Sequence, residues 1–164
     1  MKEADRIERN QGKLKELFPT FAARVKRVIE DLEAAGVRPR IQAAYRSPED
    51  QLKAHTSGTS KLKFGFHNIT GPAGEKQALA VDVLDDDAPL QPTVEYLLRL
   101  AATARKHGLV SGVLWGLTAP RQKLVNEALA AKNFKAAVKV GWDPTHLEPT
   151  GITVAEAKAG KRPA

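Results

Sequence analysis

The sequence contains no cysteine, so disulfide frameworks and thiolate metal sites are both excluded. Any metal must therefore be held by nitrogen and oxygen. Aromatic residues are scarce, at 5%, and no nucleic-acid-binding motif accompanies the basic charge, which sets a nucleic-acid partner aside. Nowhere does the chain reach the roughly 18 to 20 apolar residues that a membrane span requires. The first ten residues are charged throughout and lack the apolar segment of a secretory signal. The expectation is a protein made in the cytoplasm, needing some other route if it acts outside. No His-Glu-x-x-His pattern occurs, which removes a thermolysin-type site.

What is present is ordinary for a globular protein: 164 residues, 42% hydrophobic and 27% charged. One domain over 1–164 is expected, with a loose basic tail from about residue 158. The net charge of +7 is scattered along the chain. It raises encounter rates with polyanions of any kind and selects none of them.

Apolar residues from Leu14 to Leu32 recur at helical spacing. Pro19 divides them into a short lead-in and a main helix with the proline in its first turn, and Gly36 stops that helix. Residues 38–45 read as a strand. Ser47-Pro48-Glu49-Asp50 is a compact helix start, for a helix running to about His55. Residues 56–77 carry almost no periodicity and read as a long loop, a feature that is usually functional or disordered. Strands are expected over 78–84, 109–115, 137–140 and 145–148, with helices over 93–107 and 121–131. Thr153 is placed to cap a small terminal helix. This mixed order predicts an α+β domain with a small antiparallel sheet flanked by helices.

Four places carry potential chemistry. Asp82 stands in Ala-Val-Asp-Val-Leu, where an ionised carboxylate must be paired, bind a metal, or point to solvent from an edge strand. Asp143, His146 and Glu148 fall within six residues, and in an extended strand His146 and Glu148 share a face. That is either a metal-binding histidine with nearby carboxylates or a loop ion pair. His67 sits at the head of a glycine-rich loop leading to Asp82. Catalytic zinc commonly takes three protein ligands, and His67, Asp82 and His146 would complete such a set. Arg46 stands at a strand-to-helix junction, as an oxyanion donor or as a plain surface residue. His55 and His107 lie near helix C-termini, the usual place for a solvated histidine, and Asp85-Asp86-Asp87 reads as a solvated strand end.

In order along the chain, Tyr45-Arg46-Ser47 with Gln51, His67, Ala80-Val81-Asp82, Trp115-Gly116 and Trp142-Asp143-Pro144-Thr145-His146-Leu147-Glu148 resemble two kinds of peptidase. These are the VanY-type D-alanyl-D-alanine carboxypeptidases and the L-alanyl-D-glutamate endopeptidases, which include many phage endolysins. Both belong to the LAS zinc peptidases, which share the hedgehog fold. The resemblance implies a zinc ion held by His67, Asp82 and His146. It implies Asp143 as general base, Arg46 on the substrate or tetrahedral intermediate, Glu148 orienting a ligand, and Ser47 and Gln51 at the substrate. It further implies a phage-encoded hydrolase acting on peptidoglycan stem peptides in the wall; a monomer is the working expectation. A D-alanyl-D-alanine carboxypeptidase and a non-catalytic wall-binding module on the same fold are the alternatives. This chain departs from the family pattern at Gly65, where serine is usual, and at Leu117, where glycine is usual. It departs again in the fifteen-residue step from His67 to Asp82, where seven is usual. The extra residues, within 71–77, read as a turn inserted beside the cleft.

Overall fold

The structure, a computed structural model, describes residues 1–58 and 64–164. Helices α1 (Glu3–Leu14) and α2 (Pro19–Ala34) lead into strand β1 (Pro39–Ala43) and helix α3 (Pro48–Thr56). A single 3-10 turn, Phe66–Asn68, precedes strand β2 (Val81–Asp85). Helix α4 (Val94–Lys106), strand β3 (Leu109–Gly112), helix α5 (Ala119–Ala130), strand β4 (Asp143–Pro149) and helix α6 (Val154–Lys158) complete the chain. The four strands form one antiparallel sheet in the order β1-β2-β4-β3, the α+β architecture that the alternation of elements predicts.

One face of this sheet is oil. Ile41, Val81, Val83 and Leu147 point into a core shared with Phe21, Val25, Val28 and Leu32 of α2 and with Leu97, Leu100 and Ala104 of α4. Strand alternation then delivers Asp82, His146 and Glu148 to the opposite face. The Tyr96 hydroxyl donates to the Val83 carbonyl at 2.7 Å and ties α4 to β2. Helix α5 adds a smaller cluster in which Val125 and Leu129 meet Leu98 and Val113. No helix among the described residues is long and apolar enough to cross a membrane.

The expected caps are present. Pro19 opens α2, the Ser47 hydroxyl accepts from the Asp50 N–H at 3.2 Å, and Thr153 with Glu156 forms a reciprocal capping box. Other expectations need correction. Helix α1 is hidden from a search for apolar periodicity because its buried residues are Arg6 and Asn10. They and Arg9 serve the free edge of β1: Asn10 donates to the Pro39 carbonyl and accepts from the Ile41 N–H, and Arg9 donates to the Ile41 carbonyl. A polar helix face thus covers a sheet edge that would otherwise invite pairing with another chain.

The strand expected from residue 78 begins at Val81. Residue 78 is engaged elsewhere, exchanging backbone hydrogen bonds with Glu16 and Phe18. Strand β3 ends at Gly112, where the chain turns so that the Trp115 N–H reaches the Gly112 carbonyl. Residues 137–140 join no sheet. The supposedly loose tail is tied down: Arg162 donates to Gln77 and to the Thr70 and Ala157 carbonyls, and Thr20 donates to the Pro163 carbonyl. Of the three acids at 85–87, Asp86 is buried and paired with Arg38 and Arg40. It is the hub of an ion-pair network, not a solvated strand end.

Candidate metal centre

Asp82 and His146 are register partners in the β2–β4 ladder, so their side chains leave the sheet on the same face. His67 arrives from the 3-10 turn. That turn is fixed by Asn68, whose side chain accepts from the Gly65 N–H at 2.8 Å and donates to the Arg46 carbonyl at 2.7 Å. The Arg46 N–H in turn donates to the His67 carbonyl at 2.9 Å. One ligand atom from each of His67, Asp82 and His146 lies within 4.8 Å of the others. His67 Nε2 is 3.6 Å from Asp82 Oδ2, and His146 Nδ1 is 3.3 Å from Asp82 Oδ1.

Each imidazole is pinned by its outer nitrogen. His67 Nδ1 lies 2.6 Å from the Ala44 carbonyl, which can only accept, so the proton sits on Nδ1 and Nε2 faces Asp82. His146 Nε2 lies 3.0 Å from Glu148 Oε2, which leaves Nδ1 turned toward Asp82 and Asp143. Such oxygen partners fix the tautomer and raise the basicity of a metal-binding histidine. Glu148 thus contacts the outer nitrogen of His146, as the Ala44 carbonyl does that of His67.

The charges are strongly coupled. Burial pushes the Asp82 carboxyl upward, but its pairing with His146 and His67 outweighs it and holds the group well below the usual carboxylate range. Burial also disfavours the charged form of His146, yet Asp82 and Glu148 prevail and push its pKa up to about 10. Asp143 moves opposite to Asp82. Its burial and the neighbouring Asp82 charge raise it above an ordinary aspartate. Asp82 Oδ1 is buried without a hydrogen-bond donor, its 3.3 Å approach to His146 being an ionic contact. A buried carboxylate whose two oxygens each face one imidazole nitrogen, with Oδ1 lacking a donor and both rings held by their outer nitrogens, is a donor set that fits a small divalent cation. Nitrogen and oxygen ligands in this combination suit zinc.

Asp143 opens β4 opposite Gly112, where the register shifts, and its Oδ2 lies 3.7 Å from His146 Nδ1. Close backbone packing sets this position. A Cβ on Gly112 would fall 2.0 Å from the Asp143 carbonyl oxygen, and one on Gly141 would fall 2.5 Å from the Gly112 carbonyl oxygen. Gly116 has φ of 76°, a left-handed turn that brings Trp115 back over the site. The Trp115 ring centroid is 5.2 Å from His146 and 5.4 Å from Trp142, so the indole walls one side of the histidine. Trp115 enters the sequence reading only as part of a motif. Its packing role depends on the turn at Gly116.

Arg46, Ser47 and Gln51 cluster at the head of α3. Arg46 Nη1 donates to Gln51 Oε1 at 3.0 Å, Gln51 is buried, and the Ser47 hydroxyl serves as helix cap. His107 Nε2 lies 2.8 Å from Asp31 Oδ2 and joins no metal cluster among the described residues, although it is less exposed than a solvated histidine. The insertion after His67 is a small hairpin. Gln77 N–H donates to the Ile69 carbonyl, Thr70 bridges to Lys76, and Gly71 N–H donates to the Glu75 carbonyl. Its two ends are thus drawn together, which is how fifteen residues span the step from His67 to Asp82 without parting them.

No family model matches the sequence, and no curated protein sequence matches it. Among the solved structures that resemble the fold are the following two. The L-Ala D-Glu endopeptidase ChiX of Serratia marcescens is 18% identical, with a TM-score of 0.52 over 87% of this chain and 86% of that one. The LD-carboxypeptidase LdcB is 22% identical, with a TM-score of 0.48 over 88% of this chain and 72% of that one. The likeness to ChiX shows a shared fold.

Proposed function

We propose that the chain is a zinc-dependent peptidase that hydrolyses peptidoglycan stem peptides, an L-alanyl-D-glutamate endopeptidase serving as a phage endolysin. One observation carries the metallopeptidase reading. His67, Asp82 and His146 converge within 4.8 Å, both histidines have their outer nitrogens occupied, and an acid stands beside the set. The bond assignment is supported by the ordered motifs and by the fold shared with ChiX, itself an L-Ala D-Glu endopeptidase. The endolysin role rests on the resemblance to the phage enzymes.

His67 Nε2, an Asp82 oxygen and His146 Nδ1 would hold the ion. Zinc bound there would supply Lewis acidity toward a scissile carbonyl and lower the pKa of a water. Asp143 Oδ2 accepts the proton of the attacking water and returns it to the leaving amine. Its raised proton affinity moves it toward the range in which general bases work. Glu148 keeps His146 from rotating, and Trp115 keeps water from one face of the ring. Arg46, held by Gln51, donates to the substrate or to the developing oxyanion. Gln51 and Ser47 contribute to substrate binding by fixing that corner. The net charge of +7 draws the protein to an anionic wall.

Mass spectrometry of fragments released from purified peptidoglycan tests this reading. An L-alanyl-D-glutamate endopeptidase leaves L-alanine on the glycan and releases the rest of the stem with a new amino terminus on glutamate. Release of free D-alanine alone would instead identify a carboxypeptidase. Intact wall after incubation with zinc-loaded protein would point to a non-catalytic binding module.

A further inference from the structure

The segment between His67 and Asp82 does more than bridge two candidate ligands. Its hairpin is braced at the base by the C-terminus of the chain. Arg162 Nε donates to Gln77 Oε1 at 2.9 Å and Nη2 donates to the Thr70 carbonyl at 2.8 Å, so a single guanidinium clasps both arms. The same side chain donates to the Ala157 carbonyl at 2.8 Å and lies over the Phe18 ring, anchoring the clasp to α6 and to the start of α2. Within the hairpin, Glu75 turns inward and accepts from the Ala73 N–H and from Gln77 Nε2. Its charge closes the turn and leaves Lys76 alone.

Lys76 reaches across to the segment that follows β1, with Nζ 5.4 Å from the centroid of the Tyr45 ring. Tyr45 stands between Ala44, whose carbonyl holds His67, and Arg46, whose N–H holds the 3-10 turn. Lys76 forms no ion pair among the described residues. Glu16, which accepts from the Tyr45 N–H, is paired with Lys13 at 3.4 Å. An ammonium parked on an aromatic face keeps its three donors for a ligand and loses rotamer freedom in advance.

We propose that the 70–77 hairpin is one wall of a substrate subsite in which Lys76, resting on Tyr45, binds a free carboxylate of the peptide, and that Arg162 is the residue that positions it. This rests on the peptidase reading and adds a ligand chemistry to a segment with no counterpart in the motifs that carry the resemblance. An amide in place of the carboxylate would offer no charge to Lys76.

The test compares two synthetic stem peptides that differ only in a free carboxylate or its primary amide beside the scissile bond. Zinc-loaded wild type, Lys76→Gln, Lys76→Arg and Arg162→Ala are assayed on both. Wild type is expected to favour the carboxylate peptide, and Lys76→Gln to cut that preference in kcat/KM about tenfold, the worth of one charge-assisted hydrogen bond. The change should lie in KM, and Lys76→Arg should recover most of it. Arg162→Ala should also erode the preference through KM, which a general loss of folded protein would not do, since that lowers both peptides alike. A preference unchanged in Lys76→Gln, or absent in wild type that cleaves both peptides, would overturn the subsite and leave the peptidase reading standing. Wild type that cleaves neither peptide nor purified wall would overturn both.

Discussion

His146 Nδ1 stands 3.3 Å from Asp82 Oδ1 across the β2–β4 ladder, where the two residues are paired in register. Because the pairing is set by the sheet, the backbone positions of these two residues are fixed by the ladder. That makes the cluster a candidate preformed site and yields a direct prediction. Zinc should raise the thermal midpoint of the wild type. At a concentration about 100 times its Kd the gain is about 2.7 kcal/mol, or roughly 5 to 10 °C for a chain of this size. Asp82→Asn should lose most of that rise, as read by differential scanning calorimetry with and without zinc.

Glu148 offers a subtler probe, because it touches His146 from outside the triad. Replacing it with alanine frees the ring while leaving all three candidate ligands in place. Zinc affinity should fall by about 10- to 100-fold, the usual consequence of removing such a partner, measured by competition with a chromophoric chelator. An affinity equal to wild type would mean that Glu148 does not orient the histidine.

Glycine at 141 is a packing requirement. A Cβ there would meet the Gly112 carbonyl and the Trp115 backbone at 2.5 to 2.6 Å. Gly141→Ala should destabilise the fold by about 1 to 3 kcal/mol through overpacking, and displace the start of β4 that presents Asp143. Urea unfolding would read the first effect and zinc-loaded activity the second.

The N-terminal network makes a prediction about acid. Hydrogen bonds from Arg6 and then Arg38 hold the Glu3 carboxyl at about 2, against an ordinary value of 4.5. A depressed folded-state pKa contributes stability that is full above about 4.5 and is lost as the pH falls toward 2. Wild type should therefore be more stable than Glu3→Gln at pH 6, and the two should converge near pH 2. Thermal midpoints measured over that range check the sign.

Much of the architecture is legible in the chain because local rules and tertiary demands agree. Helices α2 and α4 follow from apolar periodicity, α3 from Ser47 and Pro48, and the left-handed glycine at 36 ends α2 as expected. Helix α1 escapes because the surface it covers is the polar edge of β1, so its buried residues are arginine and asparagine. Val138 and Val140 alternate as a strand would, yet pack beside the α5 cluster with no partner strand among the described residues, which no local pattern can reveal. The same division holds at the site. His67, Asp82, Asp143, His146 and Glu148 can be picked out by residue type and order. The Ala44 carbonyl and the Trp115 wall cannot, since one is a backbone group and the other depends on how the chain turns at Gly116.

The central claim is that this cluster is a hydrolytic metal centre with Asp143 as its base. It is tested most directly by following soluble peptide released from purified peptidoglycan. Wild type, EDTA-treated, zinc-restored and Asp143→Ala proteins are compared side by side, with zinc content measured for each. The account predicts release by wild type, loss with EDTA, recovery with zinc, and no release by Asp143→Ala that still carries zinc. Release that survives EDTA, or an Asp143→Ala protein that works at the wild-type rate, would contradict it.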